Sequence, residues 1–288
     1  MNTSILRSFI RSIVYPAEKV YQHLRFRSMT SPEGGWPVLL GISFPKSGTH
    51  LLDQILLGFS AFAPFSLRLH SFYAEYEGES GRKRSTQEML LWIESLRHGD
   101  IASAHLFAHS EAVERICRPA FVPYFIFRDP RDVAVSHMFY VTEMESKHVH
   151  HEYYRSLPDL NSRLMVSILG RPDAGVEFPG IAARFSPYLG WLDQPGVLNI
   201  HFEDLVTRRR EILESILDHF LHRVPLVISR ERMLEALERA INPERSPTFR
   251  SGRVGEWKKY FNKEHKQIFK DICGDLLIHL GYETDRNW

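Results

Sequence analysis

Short apolar runs at Leu39–Phe44, Asp100–Leu106, Val122–Phe127 and Gly196–Phe202 read as buried strands, each bounded by turn or polar residues. Between them, apolar positions recur at three- and four-residue spacing. That period predicts helices over Leu51–Phe59, Glu88–Leu96, Ser110–Ile116, Ile181–Leu192, 208–222, 230–241 and about 263–280, and one that starts at Asp129 or Pro130. Ser85 or Thr86 is placed to cap the second of these. Residues 63–85 and 145–180 show little period, and we expect long surface loops there, the kind of segment that carries substrate contacts.

Residues 1–35 stand apart from 36–288. Ile5, Leu6, Phe9, Ile10, Ile13 and Val14 share one helical face, with Arg7 and Arg11 off it. The arginines come too early for a secretory leader, and no small-residue cleavage site follows. A basic amphipathic helix of this kind lies on a membrane surface or packs against protein, and both readings stay open. Ser31-Pro32-Glu33-Gly34-Gly35 reads as the turn before the first strand.

The run Leu39 to Leu52 is strand, tight loop, then helix, with Phe44-Pro45-Lys46-Ser47-Gly48-Thr49-His50 at the break. Such a loop turns successive N–H groups, and the positive end of a helix, toward one anion. Lys46 adds a mobile charge, Gly48 allows close backbone approach, and Ser47 and Thr49 add hydroxyls. The Lys precedes the Gly, so this is not a Walker A loop, and it suits one phosphate better than a triphosphate.

Composition adds bounds. The 288 residues suit one large α/β domain or two small ones; 43% hydrophobic and 25% charged residues are ordinary for a globular protein. A net charge of +1 gives no reason to expect nucleic-acid binding. Two cysteines, Cys117 and Cys273, are too few for a disulfide framework and fit a reducing, cytoplasmic compartment. No apolar run reaches the roughly 18 residues of a membrane span. His148, His150 and His151 match no usual metal-ligand spacing and read as a solvated loop; Arg208-Arg209-Arg210 reads as a solvated face.

Three constellations extend the loop. Arg128, at a strand end, and Ser136, about two turns into the next helix, can face one anion where open sheets bind ligands, although Asp129 or Asp132 could instead pair with the arginine. Arg250-Ser251-Gly252-Arg253-Val254-Gly255-Glu256-Trp257 reads as a loop able to close over an anion. His105 ends the second run.

Pro-Lys-Ser-Gly-Thr after a strand resembles the 5′-phosphosulfate loop of the sulfotransferases that use 3′-phosphoadenosine 5′-phosphosulfate (PAPS). Arg128 to Ser136 resembles their 3′-phosphate motif, and residues 250–258 their C-terminal motif, with Ser251 where Lys is usual. The three span most of the chain. The resemblance implies a single P-loop-like α/β domain over 36–288, with a central, mostly parallel sheet flanked by helices. It implies PAPS as co-substrate, bound by Lys46, Ser47, Gly48, Thr49, His50, Arg128, Ser136, Arg250, Ser251 and Gly252, with no metal. It also implies catalytic roles for His105 as general base and Lys46 at the leaving phosphate. The chain departs from the family at Ser103 (usually Lys), at His50-Leu51 (usually including Trp) and at Phe202 (usually Tyr). The usual dimer motif is missing around Lys258–Gln267.

The expected activity is transfer of a sulfuryl group to a hydroxyl on a small molecule, lipid or carbohydrate, with His105 near its working pKa at neutral pH. Residues 5–14 would supply any peripheral membrane contact. The competing readings are a P-loop kinase or NTPase, and a non-catalytic nucleotide-binding adaptor at a membrane surface.

Overall fold

The computed structural model describes residues 15–171, 175–246, 250 and 252–288, and of 71–73 the backbone alone. Residues 5–14 and Ser251 lie outside the described residues. In chain order the elements are α1 (Tyr15–Arg25), β1 (Val38–Ser43), α2 (Thr49–Gly58), β2 (Leu69–Ala74), α3 (Thr86–Ser95), β3 (Ile101–His105), α4 (Ser110–Ile116), β4 (Phe121–Phe127) and α5 (Pro130–Phe139). There follow α6 (His151–Ser156), α7 (Leu160–Leu169), α8 (Ile181–Phe185), β5 (Leu198–His201), α9 (Phe202–Thr207), α10 (Arg209–Leu221), α11 (Arg230–Ala240), α12 (Trp257–Tyr260) and α13 (Lys263–Cys273).

The five strands form one sheet in the order β2-β3-β1-β4-β5, and every pairing is parallel. Alternation along β1 divides the core. Val38, Leu40 and Ile42 face the layer that holds α3, α5, α7 and α13, while Leu39 joins Ile101, Val122 and Ile126 against α2, α10 and α11. Both faces are covered, so the strands read as continuous apolar runs. From β1 the chain runs first to the β2–β3 side and then to β4 on the other. The strand order therefore reverses at the C-terminal end of β1, where open α/β sheets bind ligands.

Several sequence expectations need correction. Residues 63–85 are not an excursion throughout: β2 is an edge strand paired with β3, with a shift of register between His70 and Phe72, and Ala63 and Phe65 are buried. A strand with neighbours on one side only carries too weak an apolar pattern to stand out. Residues 145–180 hold two helices, α6 and α7, and His150 is buried with 3% exposure. The helix expected over 181–192 becomes 3₁₀ from Ser186 to Trp191, with Pro187 in its first turn. The helix expected over about 263–280 is broken at Gly274, which adopts a positive φ of 52°, into α13 and one further turn of helix, Leu276–His279. Other expectations hold: Ser85 caps α3 in a reciprocal capping box with Glu88, α4 spans Ser110–Ile116, and Asp129 caps α5 with Pro130 in the first turn.

Candidate active site

The loop between β1 and α2 is bent by two positive-φ residues, Lys46 at 69° and Gly48 at 96°. Gly48 has no substitute: a Cβ there would lie 2.5 Å from Phe202 Cδ2, besides being strained by φ. No side chain caps the start of α2; the N–H groups of Leu51 and Leu52 reach the Gly48 carbonyl at 3.0 and 3.1 Å, which leaves those of Thr49 and His50 ahead of them for an anion. Lys46, the one non-glycine residue with positive φ among the described residues, is held with its ammonium 3.9 Å from the centre of the Tyr140 ring. Burial pulls its pKa down to about 7, with Arg128 and Arg250 adding like-charge repulsion.

Ser43 ties the loop to β3. Its Oγ lies 2.9 Å from Thr49 Oγ1 and 3.0 Å from His105 Nδ1, and its carbonyl accepts from the same Nδ1 at 2.8 Å. A carbonyl cannot donate, so Nδ1 carries the proton and the lone pair of His105 sits on Nε2. Burial, followed by the charges of Lys46 and His50, pushes the imidazole pKa down to about 4, while the Ser43 bond opposes the shift. The imidazole is therefore neutral at pH 7, but well below the near-neutral value the sequence suggested.

Arg128 is buried at the end of β4. Its Nη2 donates to Asp132 at 3.1 Å and to the Arg253 carbonyl at 2.6 Å, and the guanidinium lies 4.6 Å from the Phe202 ring centre. The salt-bridge alternative is thus real, yet the pairing leaves Arg128 Nε buried with no hydrogen-bond partner, as is Ser47 Oγ. Arg250 pairs with Glu256 and stacks on Phe139 at 4.4 Å. Arg128 and Arg250 both act on the charge of Lys46, so three cations from three distant stretches meet at one sheet end. Gly252, two positions after Arg250, has a φ of 60°. Ser136 is half-buried on α5. His50 is more open, its ring 3.7 Å from Asp53, and the Thr49 hydroxyl is engaged by Ser43.

Two residues had more to do than the sequence suggested. Asp132 appears there only as a partner for Arg128. In the fold its carboxylate also accepts the N–H of Gly255 and of Trp257, each at 2.8 Å, and so fastens the C-terminal loop to α5. Tyr140 begins a π-helical turn to Met144, a rare feature frequent at functional sites. The only sequence signal was its place four residues beyond Ser136. The histidines of the flank are packed rather than solvated: His137 stacks on Phe178 at 5.2 Å, His150 meets Phe178 at 4.7 Å, and His148 lies 6.0 Å from Tyr140. Burial holds His148 and His150 down to about 4. No set of three His, Cys, Asp or Glu residues able to hold a metal occurs among the described residues.

A sulfotransferase-domain family model matches residues 37–281. The chain belongs to the sulfotransferase family. No curated protein matches it in sequence. Among solved structures it is similar to mouse sulfotransferase SULT7A1 complexed with PAP, at TM-score 0.57 and 16% identity over 91% of both chains. It is also similar to retinol dehydratase. The complex with androsterone and inactive cofactor PAP gives TM-score 0.51 and 16% identity over 88% of this chain and 82% of that one. The complex with retinol and PAP gives 0.53 and 15% over 88% and 83%. At this identity these likenesses speak for the sulfotransferase fold. The family match, with the loop spacing that already counted against it, replaces the kinase reading.

Proposed function

We propose that this sulfotransferase moves the sulfuryl group of PAPS to an acceptor hydroxyl, with His105 as general base. The observation that carries the proposal is the convergence of Arg128 and Arg250 on Lys46, which in turn acts on the His105 imidazole, at the reversal point of the sheet. The β1–α2 loop would take the 5′-phosphosulfate through its N–H groups, Lys46 and Ser47. Arg128, Ser136, Arg250, Gly252 and, by its motif position, Ser251 would take the 3′-phosphate; Gly48, Thr49 and His50 would contribute backbone donors. The buried, partnerless Ser47 Oγ and Arg128 Nε support the fit. Such groups are costly unless a ligand oxygen satisfies them.

In the transfer, the acceptor O–H gives its proton to His105 Nε2 as its oxygen bonds to sulfur. The bond from sulfur to the bridging phosphate oxygen breaks, and adenosine 3′,5′-bisphosphate leaves. Lys46 meets the charge that develops on that phosphate, where a positioned donor is worth most. A phosphosulfate opposite His105 offsets the cations that depress its pKa and makes it a better base. No step calls for a metal. The retinol and androsterone in the retinol dehydratase structures support a small hydroxyl-bearing molecule as acceptor; a lipid or carbohydrate hydroxyl is chemically equivalent. Two free cysteines favour a cytoplasmic setting, and we take 36–288 as the catalytic domain and 1–35 as an appended segment.

The test is incubation with labelled PAPS and an extract of candidate acceptors, followed by mass analysis of the sulfated product. His105→Gln should form product at least about a hundredfold more slowly with unchanged PAPS affinity, and the acid limb of its rate profile should vanish. A His105→Gln enzyme that keeps most of its activity defeats the base assignment, and His50 is then the next imidazole to examine.

A further inference from the structure

Helix α1 is docked by its polar side. Gln22, 1% exposed, donates to the carbonyls of Phe65 at 2.8 Å and Ser60 at 3.1 Å. Lys19 pairs with the buried Asp100 at 2.6 Å, and Glu18 with Arg68 at 2.7 Å. The opposite side is apolar and faces outward: Val20, Tyr21 and Leu24 are 59%, 56% and 60% exposed, with Pro16 and Ala17 on the same side. An amphipathic helix on a globular domain normally buries its apolar stripe; this one is inverted, although its contacts with the domain are specific.

The sequence upstream is apolar as well. Leu6, Phe9, Ile10 and Ile13 recur at three- and four-residue spacing, and Pro16 separates that run from the stripe of α1. Residues 1–17 contain Arg7 and Arg11 but no carboxylate; Glu18, the first, is committed to Arg68. Arg25 and Arg27 are exposed near the other end. A second copy of the chain seated here would bring two arginine-flanked faces together with few acids to answer them. A surface of anionic headgroups over acyl chains complements both the charge and the stripe.

We propose that the outward face of α1 is a docking surface for an anionic lipid bilayer. The contacts of α1, with Asp100, His98 and Phe65, lie at the N-terminal ends of the strands, whereas Lys46 and His105 lie at the C-terminal ends. A strand of six or so residues separates them by about 20 Å. Docking by α1 therefore turns the site away from the membrane surface, toward acceptor hydroxyls in the water or held off the bilayer on a stalk, rather than hydroxyls at headgroup level. This surface is independent of the reaction proposed above.

The experiment is sedimentation of the full chain with vesicles of phosphatidylcholine, with and without phosphatidylglycerol. The chain should bind the phosphatidylglycerol vesicles, and salt should weaken the binding. A double variant, Val20→Glu with Leu24→Glu, should bind about tenfold or more weakly, and Arg7→Gln with Arg11→Gln should lose the salt-sensitive part. Because the substituted side chains are exposed, melting temperature should not change. Failure of the parent chain to bind overturns the proposal, as does equal binding by the double variant. So does a vesicle-independent dimer that Val20→Glu with Leu24→Glu disperses.

Discussion

Two regions meet at Lys46 and are built on different terms. The β1–α2 loop is dictated by backbone: a positive φ at Gly48, no room for a Cβ beside Phe202, and a helix end without a side-chain cap. The flank from Tyr140 to Gly180 is dictated by side-chain packing, in which a few aromatic rings and imidazoles fill one another's gaps. Tyr154 and His137 both converge on the Ser167 hydroxyl, at 2.9 Å and 3.2 Å. Main-chain geometry of the first kind admits few residue types at each place, whereas side-chain packing of the second kind can be re-cut in many ways.

The sharpest way to break this contrast is Lys46→Ala. If the loop serves the leaving group, turnover should fall by roughly 3–4 kcal/mol of transition-state stabilisation, with a much smaller loss of product-nucleotide affinity. Near-normal turnover in single-turnover assays would remove Lys46 from the chemistry. Next in size are Arg128→Ala and Arg250→Ala, each expected to weaken PAPS by about 1.5–3 kcal/mol. An analogue lacking the 3′-phosphate should bind parent and variants alike in calorimetry; an equal loss with that analogue would reassign the arginines.

A pH series sharpens the same point. With the Lys46 pKa near 7, its charge is present below that pH and lost above it. A bound phosphate raises the pKa back toward its ordinary value. Affinity for adenosine 3′,5′-bisphosphate should therefore fall as pH rises above about 7, by up to tenfold per unit, and the fall should be absent in Lys46→Ala.

The flank should respond in the opposite direction of pH. His148 and His150 titrate near 4 in the fold against an ordinary value of 6.5. The unfolded chain thus takes up protons first, and the stability these residues contribute, complete above pH 6.5, is lost as pH falls toward 4. Melting temperature measured from pH 7 to 4 should drop, and less so in His148→Gln. The smallest effect belongs to Tyr154→Phe, about 1 kcal/mol of stability with unchanged nucleotide affinity. A change in nucleotide affinity there would show the two regions to be coupled.

The same contrast explains what the sequence disclosed. Pro45-Lys46-Ser47-Gly48-Thr49 was legible because local backbone rules admit few residues at each place, and β1, β3 and β4 because strands buried on both faces are apolar throughout. Strand β2 was missed because it is an edge, and α6 because His151, Tyr153 and Tyr154 with two charges leave it no apolar stripe; α7 does carry Leu160, Leu164 and Ile168 at four-residue spacing, a signal submerged in the polar, histidine-rich stretch around it. The low basicity of His105 was not legible at all: it comes from burial and from Lys46, which is 59 positions away in the chain and a neighbour only after folding. Asp132 was named for one of its three bonds, since the other two reach across more than a hundred residues.

That carboxylate also sets an order of events during synthesis. It joins α5 to a loop made only after most of the chain has left the ribosome. Of the three partners of Asp132, only Arg128 is present in a chain halted before residue 250; the Gly255 and Trp257 bonds, and with them the fastening of the loop, wait for the final tenth or so of the chain.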